Sequence, residues 1–470
     1  MINGYVPKAH KEGVAAPIFK SGDRTRETNY RLVQMNSVFQ KIHDKSVGNK
    51  IYEYLEDYSL LDEHQHGFRK GHSCDTNLLD SWNYIVDQNE KGEGSTLAMV
   101  DYSKAFDKVP HHLLTQSIAK LGIGGNVGRW LNSWLTGRTQ QVKVDGQLSG
   151  KILITSGTIQ GSNLGPLLYS IFVNDMTKDL SNPYSLYADD LKIYGSTRTI
   201  EDCQKLQNDM DTLSNWAELN GMKINTDKSV LLPLGKNQNQ NLPFRLAGGV
   251  LPWVNEAKDL GVTLTKNLRF SRHVTNRARK CYQIIGQIKR TIKTRKPETL
   301  KKLWNTLILP TVTFACPVWY QETPGINQEL QKIYKRFWKM LPGHNLDILS
   351  PVEEVKRLNL LSAKRILSGS TALKPEKYFE FSSRSSQNGY NFLQKRKTKT
   401  MPGGENFFNR IITSWNRLKK DEKISSYMKF KNIARESVLK ETRSATLLNT
   451  NAAIWARLPS VSVFRQNRFS

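Results

Sequence analysis

The stretch SLYADDLKIYG, residues 185–195, sets two aspartates, Asp189 and Asp190, between two short apolar runs. Leu186 and Ala188 lead in and Leu191 and Ile193 lead out, alternating with polar neighbours, which predicts a tight β-hairpin with both carboxylates at its tip. Aspartate is an ordinary turn residue, because its side chain bonds nearby backbone amides. Asp-Asp is nevertheless a poor two-residue loop, where Asn-Gly or Asp-Gly supplies the positive φ that such turns need. Either the turn is simply solvated or the chain needs two carboxylates side by side.

Upstream, STLAMVDYSKAFDKVPHHLLTQSIAKLGI reads as strand, turn, helix. The strand is Leu97–Val100, Pro110 suits the first helical turn, Leu113, Leu114, Ile118 and Leu121 line one face, and Gly122 is placed as the cap. Asp101 stands where the strand ends. Beside a hairpin bearing Asp189 and Asp190 it would complete a group of three carboxylates. Mg²⁺ takes hard oxygen ligands, commonly a few carboxylates plus substrate phosphates. Two such ions about 4 Å apart can activate a 3′-hydroxyl and neutralise a leaving pyrophosphate. The competing reading of Asp101 is a helix cap.

The bulk properties point the same way. With 470 residues the chain has room for about three domains. At 38% hydrophobic it can form real cores, and it has no apolar run near the roughly 20 residues of a membrane span. MINGYVPKAHKEGV lacks the apolar segment of a signal peptide. Cys74, Cys203, Cys281 and Cys316 are scattered, giving neither a zinc site nor a disulfide framework, so a reducing intracellular setting is expected. Lysine and arginine number 69 against 42 acids, a formal charge of +27, which favours nucleic acid as partner over an anionic membrane. The excess is concentrated between Arg272 and Trp304, where eleven basic residues meet one acid. Val274, Tyr282, Ile285, Ile288 and Ile292 recur there at helical spacing, leaving a strongly positive face for phosphates.

Between these landmarks, residues 1–50 are polar and basic with loop signals at SGDRTRETN, and two helical patterns flank EHQHGFRKGHS. QQVKVDGQLSGKILITSG predicts strands with Asp-Gly at the turn; LGPLLYSIFVNDM and EDCQKLQNDMDTLSNWAELNG predict helices, and KINTDKSVLLPLG a strand pair. KNQNQNLP is the best linker, followed by a short β segment, DLGVTLTK, and basic helices to about Leu341. The last 120 or so residues are weaker in pattern. The expected architecture is an α+β domain with a helical, basic appendage. His64, His66, His72, His111 and His112 lack a consistent metal-ligand spacing, and no Ser or Cys nucleophile stands in a recognisable motif, which disfavours a hydrolase.

VDYSKAFDKVPHHLL, GTIQGSNLGPLLYSIFVND, YADD and GMKINTDKS, in this order and with these separations, resemble the polymerase motifs of reverse transcriptases. More narrowly the chain is similar to those of non-LTR (LINE-type) retrotransposons of the jockey and CR1-like group, over roughly residues 17–430. The resemblance implies a right-hand polymerase: an N-terminal extension and fingers over 1–95, a palm with part of the fingers over 96–240, a primer-grip hairpin and helical thumb over 241–345, and a C-terminal region of unknown role over 346–470. It implies RNA-directed DNA synthesis from dNTPs on an RNA template, with a DNA primer or nicked target DNA supplying the 3′-hydroxyl, and two Mg²⁺ ions, replaceable by Mn²⁺.

By position, Asp101 and Asp189 match the family's metal-binding aspartates, and Asp190 is the neighbouring carboxylate. Phe106 matches the steric gate that favours deoxynucleotides; its competing reading is a core aromatic. Gln160 and Gly161 match residues that shape the nucleotide pocket. Lys228 matches the lysine proposed to protonate departing pyrophosphate, and Arg31 and Arg69 match finger arginines that bind triphosphate. Tyr187 is expected under the catalytic turn, and Asp107 as a structural carboxylate.

Two departures stand out: NYRLVQMNS replaces the family's proline-containing run, and Ile159 stands where PQGS has proline. Residues before 17 leave no room for the N-terminal endonuclease common in complete elements, and no RNase H segment is evident. The expectation is a truncated or diverged copy that relies on an element-encoded endonuclease or RNA-binding protein, acting in the nucleus after cytoplasmic RNA–protein assembly. The alternative is a decayed element that binds RNA or RNA–DNA hybrid without polymerising. The tail after about residue 437 matches nothing.

Overall fold

The computed structural model of the chain describes residues 4–236, 238–240, 242–340, 348–382 and 393–455. It packs as two units: one runs to Phe270 and takes in the short returns 371–373 and 398–404, and the other holds the rest.

The first unit begins with a hairpin of β1 (Glu12–Phe19) and β2 (Tyr30–Met35), where sequence reading finds only loop signals. SGDRTRETN is the connection between the two strands, as expected. Pro17 would argue against a strand, but the parallel neighbour pairs only with Glu12–Ala15, so at Pro17 β1 is an edge and no ladder N–H is missed. Helices α1 (Val38–Asp57) and α2 (Cys74–Glu90) follow, the second opened by a Ser73–Thr76 capping box. Strand β3 (Ser95–Val100) is buried at every position but Met99, as a strand flanked on both sides must be.

A short turn of helix, α3 (Ala105–Lys108), leads to α4 (His111–Lys120) and α5 (Gly125–Leu135). Pro110 is the N-cap of α4 rather than its first residue, with an extended ψ of 124°. Strand β4 (Arg138–Val144) pairs with β1, with β5 (Gln147–Leu148) across the Asp145–Gly146 turn, and with β6 (Ile152–Ile154), closing one sheet. After α6 (Gly165–Phe172), β7 (Tyr184–Tyr187) and β8 (Asp190–Gly195) form the hairpin that opened the sequence reading. Helix α7 (Ile200–Leu219) then precedes β9 (Val230–Leu234). KINTDKSVLLPLG thus supplies one strand, preceded by the bridge of Ile224 to Tyr102, instead of a strand pair.

The central sheet runs β7-β8-β3-β9, all antiparallel. Ala98, Ile193 and Leu231 on it are buried in one core with Leu168 of α6 and Leu206, Met210 and Leu213 of α7. Two small hairpins end the unit: β10 (Arg245–Leu246) with β11 (Gly249–Val250), and β12 (Glu256–Asp259) with β13 (Val262–Thr265). The KNQNQNLP linker, of which residues 237 and 241 lie outside the described residues, is therefore internal. The units divide at Phe270/Ser271, so residues 242–270 belong to the unit that holds the sheet.

The second unit opens with α8 (Ser271–Thr291), whose Val274, Ala278, Cys281, Ile285 and Ile288 are buried while Arg272, Arg279, Lys280, Lys289 and Arg290 face solvent. The apolar stripe packs on a core around Trp304, whose ring lies 5.0 Å from Phe337. The weakly patterned C-terminal quarter is helical too: Pro351–Leu367, Phe407–Asn416 and Tyr427–Trp455 share this unit with α8, burying Val355, Phe407, Phe430 and Ala434. Residues 456–470 of the unmatched tail lie outside the described residues. Among the described residues no cysteine is joined in a disulfide, and no helix is long and apolar enough to cross a membrane.

Candidate active site

The register Val100↔Leu191 between β3 and β8 carries Asp101 out of its strand toward Asp190. Two loop contacts fix Asp101: its N–H donates to Ser229 Oγ at 3.1 Å, and its carbonyl accepts from the Asn225 N–H at 2.8 Å. The INTDKS segment therefore clamps the strand end and brings Lys228, whose Nζ lies 3.9 Å from Asp101 Oδ2.

Tyr187 pairs with Asp190, so the two-residue loop is Ala188–Asp189 and Asp190 is the first residue of β8, not part of the tip as the alternation suggests. Ala188 supplies the positive φ, 59°, that such a turn needs. An alanine in that region is strained and persists only where its surroundings hold it. Here they do. Gln65 Oε1 accepts from the N–H groups of both Ala188 and Gly67, at 2.9 and 2.8 Å. The Leu186 carbonyl accepts from the His66 N–H and from Asn77 Nδ2. Gly67 lies so close that a Cβ there would sit 2.4 Å from the Ala188 nitrogen. Gln65, Gly67 and Asn77 carry no motif of their own; Gln-His-Gly ahead of the Ser73 helix cap is the faint local signal.

The carboxylates are electrostatically crowded. Burial, then the charge of Asp189 and those of Asp259 and Asp101, push the Asp190 carboxyl up to about 6. Asp189 is also raised by burial and by Asp101, against the opposing pull of Arg31 and Lys20. Arg31 on β2 is exposed and free to meet an anion. Arg69 is not: its guanidinium grips both carboxylate oxygens of Glu56, at 2.8 and 3.0 Å, and the Asp62 carbonyl.

Phe106 stacks on Tyr169, centroids 4.1 Å apart and planes 20° off parallel, with Phe68 edge-on at 6.0 Å. The Tyr169 hydroxyl is raised chiefly by burial and next by Asp189, which places the stack beside the carboxylates. Gln160 Nε2 donates to Asp107 Oδ1 at 2.8 Å, tying the two segments that flank this stack. Gly161, at φ 101°, packs so closely on β2 that a Cβ would meet the Gln34 carbonyl oxygen at 2.7 Å. Ile159 is buried, so an apolar side chain replaces the proline's rigidity with packing. Tyr187 bonds to Cys74 at the start of α2.

Among the described residues no group of three or more His, Cys, Asp or Glu closes into a metal cluster. His66 instead bonds Thr76 Oγ1 in the interior. The donor set still suits a divalent cation: carboxylates that oppose one another's ionisation gain from a cation between them, and Mg²⁺ leaves positions for phosphates and water.

The family described as reverse transcriptase (RNA-dependent DNA polymerase) matches residues 16–264, just over half the chain. Among curated proteins, the probable RNA-directed DNA polymerase from transposon BS of Drosophila melanogaster is 29% identical over 309 residues, 63% of this chain and 34% of that protein. The RNA-directed DNA polymerase from mobile element jockey of the same species is 29% identical over 283 residues, 58% of this chain and 31% of that protein. The chain thus spans about a third of the length of these curated relatives. Among solved structures, apo telomerase from Candida tropicalis aligns at a TM-score of 0.43 and 13% identity, covering 78% of this chain and 65% of that one.

Proposed function

The chain belongs to the reverse transcriptase family, and on that premise we propose that it is the RNA-directed DNA polymerase core of a non-LTR retrotransposon, with the first unit as fingers and palm and α8 as part of a thumb. The observation that carries this reading is the β3–β8 register, which sets Asp101 against the Asp189–Asp190 turn with the Phe106–Tyr169 stack alongside.

Asp101, Asp189 and Asp190 would hold divalent ions, two Mg²⁺ with Mn²⁺ as substitute, which when bound lower the pKa of a primer 3′-hydroxyl and offset charge on the phosphates. The residues around them do the rest. Arg31 and Lys20, whose charges reach Asp189, suit the β- and γ-phosphates of a dNTP. Phe106 closes the sugar side of the pocket, where a ring leaves no space for a 2′-hydroxyl. Gln160, oriented by Asp107, meets the template strand, and Gly161 lets that segment lie against β2. Lys228, exposed beside Asp101, is the residue we assign to give a proton to departing pyrophosphate. The exposed basic face of α8 tracks the phosphates of an RNA–DNA hybrid, an interaction that weakens with salt. A nick in target DNA would supply the primer, which places the reaction in the nucleus.

Primer extension on an RNA template with a DNA primer, dNTPs and Mg²⁺ tests the reading. Wild type extends and the D189A/D190A double variant does not, while both bind the hybrid. Hybrid binding without extension by either would leave a nucleic-acid-binding relic.

A further inference from the structure

Lys192, two residues beyond Asp190 on β8, is buried, and its Nζ lies 2.6 Å from Asp259 Oδ2, which is buried as well. Asp259 ends β12 and pairs with Val262, so Leu260 and Gly261 form the tip of the β12–β13 hairpin. The open end of that hairpin is tied to β9 through the main chain: the Val254 N–H donates to the Leu231 carbonyl at 2.8 Å, and the Gly235 N–H to the Lys266 carbonyl at 3.0 Å. At the closed end the tie is ionic. The pair also lines a cavity of about 230 Å³ shared with Asp101, Asp190, Lys228 and Lys258.

A buried ion pair is a poor device for stability, since desolvation offsets much of the attraction and apolar residues of equal volume often serve as well. What such a pair does supply is a single geometry. The cavity it borders has the carboxylates on one side and two exposed lysines, Lys228 and Lys258, at its rim, a combination suited to the phosphate-bearing end of a polynucleotide.

Resting on the polymerase reading above, we propose that Lys192 and Asp259 are positioning residues that lock the tip of the β12–β13 hairpin against β8 and so fix where the primer terminus lies relative to Asp101 and Asp190. Hybrid binding is spread over many phosphates and does not depend on this lock. Alignment of the 3′-hydroxyl does, and a displacement of about 1 Å costs roughly a hundredfold in rate.

The test uses the full chain with K192M, D259N, K192R and the double variant K192M/D259L. Removing both charges spares the fold the uncompensated buried ion that each single variant leaves, so the double variant keeps wild-type thermal stability. Its amides over residues 256–265 exchange faster than wild type in the absence of substrate. Its hybrid Kd stays within about twofold, while its single-turnover extension rate falls by about tenfold or more, and K192R recovers most of that loss. Wild-type exchange and wild-type rate in the double variant overturn the proposal, as does a loss in every variant that merely follows its unfolded fraction. Should the wild type extend no primer, the polymerase reading fails by itself, and unchanged exchange over 256–265 would then overturn the lock separately.

Discussion

Gln65 Oε1 accepts the Ala188 N–H at 2.9 Å, so the left-handed turn that presents Asp189 is held by a buried side chain 123 residues earlier. Replacing Gln65 with leucine leaves the Ala188 and Gly67 amides without their acceptor, at a cost of about 1–3 kcal/mol for each unsatisfied group. The expected result is a lower thermal midpoint together with a loss of primer extension larger than the unfolded fraction explains. Wild-type extension by Q65L would show that the turn holds itself.

The two arginines matched to triphosphate binding separate under mutation. Arg31 is exposed with its charge reaching Asp189, so R31A raises the KM for dNTP and leaves stability near wild type. Arg69 is spent on Glu56 and the Asp62 carbonyl, so R69A costs about 2 kcal/mol of stability, as lost charged hydrogen bonds do, with little change in dNTP KM among folded molecules. Steady-state kinetics beside urea unfolding distinguishes them; the reverse pattern would mean that Arg69 leaves Glu56 for substrate.

What was legible in the sequence was local. Asp101 at a strand end, the hairpin around Asp189, the Asp145–Gly146 turn and the alternate burial of α8 each follow from a few neighbouring residues. What was not legible depends on distant partners. β1 carries a proline and a broken alternation, and it is a strand because β2 and β4 pair with it. Asp190 belongs to its strand because Gln65 and Gly67 let Ala188 take the left-handed position instead. Arg69 has the matching residue type and a different bonding, which composition cannot show. Lys192 in an apolar run gives no sign of Asp259, its partner 67 residues on.

Phe106 stacked on Tyr169 predicts a change in sugar selection. F106A opens space on the sugar side of the pocket and removes one ring of the stack, which such pairs value at about 0.5–1.5 kcal/mol. Incorporation of rNTP relative to dNTP then rises by about tenfold or more, since a steric wall discriminates through the group it excludes. Competition between rCTP and dCTP opposite template guanine measures the ratio. An unchanged ratio with normal dNTP kinetics would make Phe106 a core aromatic only.

Asp44 on α1 gives the first unit a distinctive dependence on pH. Its Oδ1 accepts from Trp134 Nε1 at 2.9 Å, while Oδ2 has no hydrogen-bond partner among the described residues, and burial pushes the carboxyl up to about 6. The folded chain therefore holds this proton more tightly than the unfolded chain, where the carboxyl titrates near about 3.9. That contribution is complete below about pH 4 and is lost as the pH rises through about 6, on the order of 2–3 kcal/mol. His66 works in the opposite sense: buried, with its pKa lowered to about 3, it destabilises the fold as the pH falls below about 6.5. The two slopes overlap, so the quantity to measure is the difference between D44N and wild type in urea unfolding from pH 4 to 7. D44N keeps an acceptor for Trp134 without an ionisable group, and its stability relative to wild type should climb across that window and level off above it. A difference that stays flat would mean that Asp44 is ionised in the folded chain throughout, held so by Arg138.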